Sequence, residues 1–147
     1  REDFLLRENG REREIVNFGR ENLPLDLVLL LDVSGSMRPN VERIAEASHS
    51  ALRVLGNEDR VALMVFDRRT RVSMPFSDNH DDIVKGFQRL LDKERFNGGT
   101  DITRAMYDAV RFLEREARPG ARRGIVILTD DQTEFNRDDE GVLVALE

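Results

Sequence analysis

The stretch Leu25-Asp26-Leu27-Val28-Leu29-Leu30-Leu31-Asp32-Val33-Ser34-Gly35-Ser36 decides how this chain folds. Leu25 to Leu31 is a nearly continuous apolar run that stops abruptly at Asp32, the pattern of a strand buried on both faces of a parallel sheet. Beyond the polar stretch that ends at Asn40, apolar or small residues recur at Val41, Ile44, Ala45, Ser48, Leu52 and Leu55. That is helical spacing, and Gly56 supplies the stop. A parallel strand needs a crossover, so this helix is expected to return across the sheet.

Working outward, Val61 to Phe66 reads as a second buried strand. Thr70 to Pro75 follows the charged turn Asp67-Arg68-Arg69 too closely for a crossover, so it must run antiparallel to the second. Ile83, Phe87, Leu90 and Leu91 mark a helix over 80–91, behind three possible caps, Ser77, Asp78 and Asn79. Another helix is expected from about Thr100, with Ala105, Met106, Ala109, Val110 and Leu113 inward, ending before Pro119-Gly120. Gly124 to Thr129 forms the fourth core strand and again runs into an Asp. Glu140 to Glu147 reads as the opening of a last helix. Ahead of all this, Phe4-Leu5-Leu6, Glu8-Asn9-Gly10 and Ile15-Val16-Asn17-Phe18 read as a hairpin, because Asn-Gly favours tight two-residue turns. The fold class is α/β: a Rossmann-like open sheet with one antiparallel edge strand and helices on both faces.

Composition narrows the functions. A chain of 147 residues, 39% hydrophobic and 35% charged, fits one globular domain. Its longest apolar run is too short to cross a bilayer, so no membrane insertion is expected. With 23 basic and 29 acidic residues the net charge is −6. The arginines are interspersed with acids, and nucleic acid, which demands clustered positive charge, is not the expected partner. Having no Cys, the chain offers no thiolate ligand, disulfide or thiol nucleophile. It opens on Arg with no apolar leader, which reads as an excised segment or a processed product.

Three loops carry the chemistry: Asp32-Val33-Ser34-Gly35-Ser36, Gly98-Gly99-Thr100-Asp101 and Thr129-Asp130-Asp131. Ligand crevices of open α/β sheets lie beyond the carboxyl ends of neighbouring strands. If the first core strand is central, flanked by the second and fourth, Asp32 and Asp130 face each other there. Carboxylates and hydroxyls without Cys or a nearby His suit a hard divalent cation better than zinc, Mg²⁺ first and Mn²⁺ or Ca²⁺ as alternatives. Ser34 and Ser36, two apart in an extended loop, would aim both hydroxyls one way, and Gly35 lets the backbone approach closely. Such neutral ligands leave the ion with charge to spare and a position open for an outside acid.

These loops resemble the metal-ion-dependent adhesion site of von Willebrand factor A domains. The resemblance covers residues 25 to about 147 and implies that Ser34, Ser36 and Thr100 ligate the ion directly or through water. Asp32 and Asp130 would act largely through water. It implies a non-enzymatic adhesion or scaffolding module that binds a protein partner supplying an Asp or Glu. The lead-in from Asp3-Phe4 to Phe18 and on through Leu23-Pro24-Leu25 is similar to bacterial relatives, many of them exported, which favours an exported or cell-surface location. On this reading, 1–22 is a lead-in hairpin or linker and 23–147 the domain, incomplete at its C-terminus. Its fourth strand would be an edge open to homo-oligomerisation. One departure stands out: the family usually has Gly after the second aspartate, where this chain has Asp131. That residue either strains a turn preferring positive φ or adds a carboxylate near the ion.

Each motif also has a plainer reading. Asp32, Ser34 and Ser36 form a turn cluster of ordinary loop residues. Thr100 is equally an N-cap. Met37, Asp101 and Asp131 are placed on the rim, against the alternatives of a packing Met, a helix-start acid and a solvated loop acid. His49 and His80 read as surface or boundary residues. An interaction module without metal dependence, using its surface and sheet edge, is the alternative function. Hydrolysis ranks below both: Ser34 lacks a base, and the strand-end Asp32 lacks the acid two positions on that a Mg²⁺-dependent phosphohydrolase would use, Ser34 standing there instead.

Overall fold

The computed structural model describes residues 5–13, 23–52 and 54–146, with side chains for all of these except 47–52. Two short antiparallel strands come first, β1 (Leu6–Glu8) and β2 (Arg11–Arg13), paired Leu6 to Arg13. Asn9 and Gly10 between them take φ of 52° and 77°, the left-handed pair that a two-residue hairpin turn requires. The hairpin expected around Asn9-Gly10 is therefore present. Its proposed continuation at Ile15 to Phe18 lies outside the described residues.

The main sheet has the order β5-β4-β3-β6. Its centre is β3 (Leu25–Asp32), parallel to β4 (Arg60–Phe66) on one side and to β6 (Arg122–Leu128) on the other. At the edge, β5 (Thr70–Ser77) runs antiparallel to β4 as the short connection demands, and carries Pro75 where an edge strand tolerates a missing donor. Asp32 pairs with Phe66 and Leu31 with Leu128, so the ends of all three parallel strands are level.

Alternation along β3 builds two cores. On one face Leu31, Val61, Leu63 and Val65 pack against Val41 of α1 (Arg38–Leu52) and Ile83, Phe87 and Leu90 of α2 (His80–Lys93). On the other, Val28, Leu30, Met64 and Phe66 pack against Ile102, Ala105, Ala109, Phe112 and Leu113 of α3 (Ile102–Glu116), beside which lies α4 (Asp139–Leu146). Helices thus cover both faces of an α/β sheet. Because α1 and α3 leave β3's neighbourhood on opposite sides, the switch point falls at the carboxyl end of β3.

Three local readings need correction. The first helix begins earlier than Val41 because Arg38-Pro39 enters its first turn, where Pro costs nothing. Gly35–Met37 is a single 3-10 turn in place of extended chain. Thr100 does not cap α3: Asp101 does, its side chain accepting from the Arg104 amide at 3.1 Å. For α2 the cap is Asn79, which accepts from the Asp81 amide.

At the opposite end of the sheet, Asp26 is fully buried and takes hydrogen bonds from Arg60 Nε and Nη2 at 2.9 and 2.7 Å. Arg118 adds its backbone N–H at 2.7 Å and its guanidinium at 2.7 and 3.0 Å. One carboxylate thus ties β3, β4 and the α3–β6 connection. Arg60 also lies 4.8 Å over the Phe76 ring.

Candidate metal centre

The site is assembled where β3, β4 and β6 end together. Asp32 has no exposed surface. Its Oδ1 accepts from the Ser34 amide at 2.8 Å, and Oδ2 accepts from the Thr129 hydroxyl at 2.8 Å and the Thr100 hydroxyl at 3.5 Å. A buried carboxylate is tolerable only with such partners.

Beyond it, Val33 continues the ladder by donating to the Phe66 carbonyl at 2.9 Å, and Ser34 bridges to Gly98. That bridge brings the second loop alongside the first. The 3-10 turn then folds Ser36 back over Ser34, leaving the two hydroxyl oxygens 3.4 Å apart. Gly35 permits the turn by closeness: a Cβ there would stand 3.3 Å from the Phe96 carbonyl. Ser36 in turn donates to Asp130 Oδ2 at 2.6 Å, joining the third loop.

Ser34, Ser36, Thr100, Asp32 and Asp130 are thereby linked by contacts no longer than 3.5 Å. An open cleft of about 310 Å³ lies over them, lined also by Gly99, Thr133 and Glu134. Among the described residues no three of His, Cys, Asp and Glu gather into a metal-binding group. Any cation here would therefore rest on hydroxyls with carboxylate support, an all-oxygen donor set that fits a hard ion.

The three rim candidates are placed differently. Met37 is buried under the turn, its sulfur 3.5 Å from Asn40 Nδ2. Asp101 caps α3, and its amide donates to the Asp67 carbonyl at 3.0 Å. Asp131 has φ of 63°, the left-handed conformation the usual Gly would take, and its carboxylate pairs with Arg137 at 2.6 Å.

Two neighbours of the site escaped the sequence reading. Thr129, quoted within the third loop without a role of its own, orients Asp32. Glu134 belongs to a loop docked on Thr100, whose carbonyl accepts from the Glu134 amide at 3.0 Å and the Thr133 hydroxyl at 3.1 Å. Its side chain pairs with Arg68 at 2.8 Å, and that hydrogen bond holds the carboxyl below its usual range. For Thr129 the signal was its place beside Asp130. For Glu134 none existed, since its partner Arg68 is far away in sequence.

Residues 27–132 match the von Willebrand factor type A domain. The chain belongs to that family. This VWA domain is 26% identical over 121 residues to the collagen alpha-1(VI) chain of Gallus gallus, covering 76% of this chain and 12% of that one. It is 26% identical over 140 residues to matrilin-1 of Bos taurus, covering 91% and 26% respectively. The chain thus spans about a quarter or less of the length of these relatives. Among solved structures it is similar to proximal thread matrix protein 1 from the mussel byssus with a zinc-occupied MIDAS motif. The TM-score there is 0.69 at 17% identity, over 84% of this chain and 35% of that one.

Proposed function

We propose that this VWA domain is a non-enzymatic, divalent-cation-dependent protein-binding module for adhesion or scaffolding. The observation that carries the reading is the linked set of oxygens on Ser34, Ser36, Thr100, Asp32 and Asp130 beneath one open cleft. Mg²⁺, or Mn²⁺ or Ca²⁺ in its place, would supply positive charge and an open coordination position for an Asp or Glu of the partner. Ser34, Ser36 and Thr100 would hold it, with Asp32 and Asp130 as charged support.

Two features favour binding over catalysis. Asp32 is buried and engaged through both oxygens, so it presents no free nucleophile. The residues lining the cleft include no His to act as a base. Likeness to a collagen chain supports an exported or surface location.

Calorimetric titration with Mg²⁺ tests the reading, with Ser34→Ala and Asp130→Ala as controls. Heat of binding in the intact domain, lost in both variants, is expected. Absence of metal-linked heat in the intact domain would sink it. A metal-independent module is the second reading, favoured by the 43% exposed Val126 on β6, an edge for a partner or a second copy. Partner binding unchanged by excess EDTA would select it.

A further inference from the structure

The backbone of Gly99 does not explain why it is glycine. Among the described residues, positive φ at glycine is confined to Gly10 and Gly120. What Gly99 lacks is space for a side chain: a Cβ there would collide with the Glu134 carboxylate. Glu134 therefore lies directly over the loop that carries Thr100, on the wall of the cleft shared by Ser34, Ser36 and Asp130.

The manner in which Glu134 is held matters. Its backbone is fixed to Thr100, but among the described residues its carboxylate is anchored by one exposed ion pair, with Arg68. Exposed pairs of this kind contribute little and break readily. A carboxylate has therefore been placed at the cleft with a strong positional constraint on its main chain and a weak one on its head group. An acidic group approaching from outside meets like charge in the same space, which costs affinity.

We propose that Glu134 is a built-in competitor for the partner's acidic group, kept over Gly99 by Arg68 and displaced when the partner docks. This rests on the cation-dependent reading above and adds its regulation: acceptance of an outside carboxylate requires eviction of an inside one. Two independent changes remove the competitor. Glu134→Gln keeps its shape and abolishes its charge, whereas Gly99→Ala pushes the flexible carboxylate out of the cleft by steric contact at a residue whose φ suits alanine.

The test follows backbone amide shifts of the whole chain by NMR, titrating first Mg²⁺ and then, at saturating Mg²⁺, sodium acetate as the probe carboxylate, with acetamide as the neutral control. Both variants are expected to bind acetate about three- to tenfold more tightly than the unmodified domain, with Mg²⁺ affinity unchanged within about twofold. Acetamide should show no such gain. Equal acetate affinity in the unmodified domain and in Glu134→Gln overturns the proposal. So does a tenfold loss of Mg²⁺ affinity in Glu134→Gln, which would make Glu134 a ligand. These results leave the proposed function standing, because Mg²⁺ still binds the unmodified domain. Failure of Mg²⁺ to shift any amide of that domain removes both.

Discussion

Ser36 donates a hydrogen bond from its hydroxyl to Asp130 Oδ2 across 2.6 Å, joining residues 94 positions apart. The bond orients the hydroxyl so that its lone pairs remain available while Asp130 keeps its charge beside them. Geometry and charge are separable here. Asp130→Asn preserves an acceptor for Ser36 and removes the charge at a half-buried position, so thermal stability should change by no more than about 1 kcal/mol. Mg²⁺ affinity should fall about 10- to 100-fold, the range seen when a supporting group of a metal site is lost. Calorimetry and thermal melts on the same variant check both halves.

Thr129 tests the buried side of the site. Its hydroxyl is the closest side-chain donor to Asp32 Oδ2, at 2.8 Å against 3.5 Å for Thr100. Thr129→Val keeps the branched shape but leaves a buried carboxylate oxygen with only the long 3.5 Å bond from Thr100, a loss of about 1–3 kcal/mol. Thr129→Ser, which restores a donor, should recover most of it. Urea unfolding of the two variants decides the matter, and equal midpoints would show that the hydroxyl is not what holds Asp32.

Asp26 makes stability depend on pH. Burial alone would raise its carboxyl, but hydrogen bonds from Arg60 and Arg118 overcome that and hold it well below the ordinary carboxylate range. Being depressed in the folded state, it contributes stability that is complete above the unfolded value, about 3.9. As pH falls below that, the unfolded chain takes up a proton that the folded chain refuses, and the contribution shrinks. Asp26→Asn should cost about 3–5 kcal/mol near neutral pH, because two guanidiniums lose their counter-charge. The gap between the two proteins should hold constant from about pH 5 to 8 and narrow towards pH 2.

What could be read in advance follows from how far each signal reaches along the chain. The run Leu25 to Leu31 exposes its burial in its own composition, and the short link at Asp67-Arg68-Arg69 forces β5 to turn back, so the sheet was legible. Asp32, Ser34, Ser36, Thr100 and Asp130 stood out because three loops carried one motif. The role of Asp26 was not legible, since Arg60 and Arg118 lie 34 and 92 positions away. Neither periodicity nor turn chemistry connects such groups. The 3-10 turn at Gly35 and the docking of Glu134 on Thr100 likewise depend on neighbours that only the assembled sheet provides.

Asp131 sits at φ 63°, where a residue with a Cβ is strained but Asp is among those best tolerated. Its exposed pair with Arg137 adds little. Asp131→Gly should therefore raise stability slightly, by about 0.5–1 kcal/mol, because relief of strain exceeds the extra freedom of the unfolded glycine. Asp131→Val, branched at Cβ, should lower it by about 1–2 kcal/mol. If both substitutions shift the unfolding midpoint in the same direction, backbone strain is not the controlling factor.

Gly98 is held to glycine by the loop opposite. A Cβ at this position would meet the Asp67 Cβ at 2.5 Å. Asp67 has little room to yield: Arg71 links its carboxylate at 3.0 Å to that of Glu94 at 2.8 Å, and its carbonyl accepts from the Asp101 amide. Gly98→Ala must then displace its own loop, and with it Thr100, two residues on, which bears on Asp32. Overpacking of this kind costs about 1–3 kcal/mol. The same shift should weaken Mg²⁺ binding, since the Thr100 hydroxyl leaves the Ser34–Ser36 pair. Gly99→Ala, whose nearest contacts are with the flexible end of the Glu134 side chain, should leave Mg²⁺ affinity intact, so adjacent glycines with identical substitutions are expected to differ in calorimetry. Equal losses at 98 and 99 would mean that the loop requires glycine for its backbone alone.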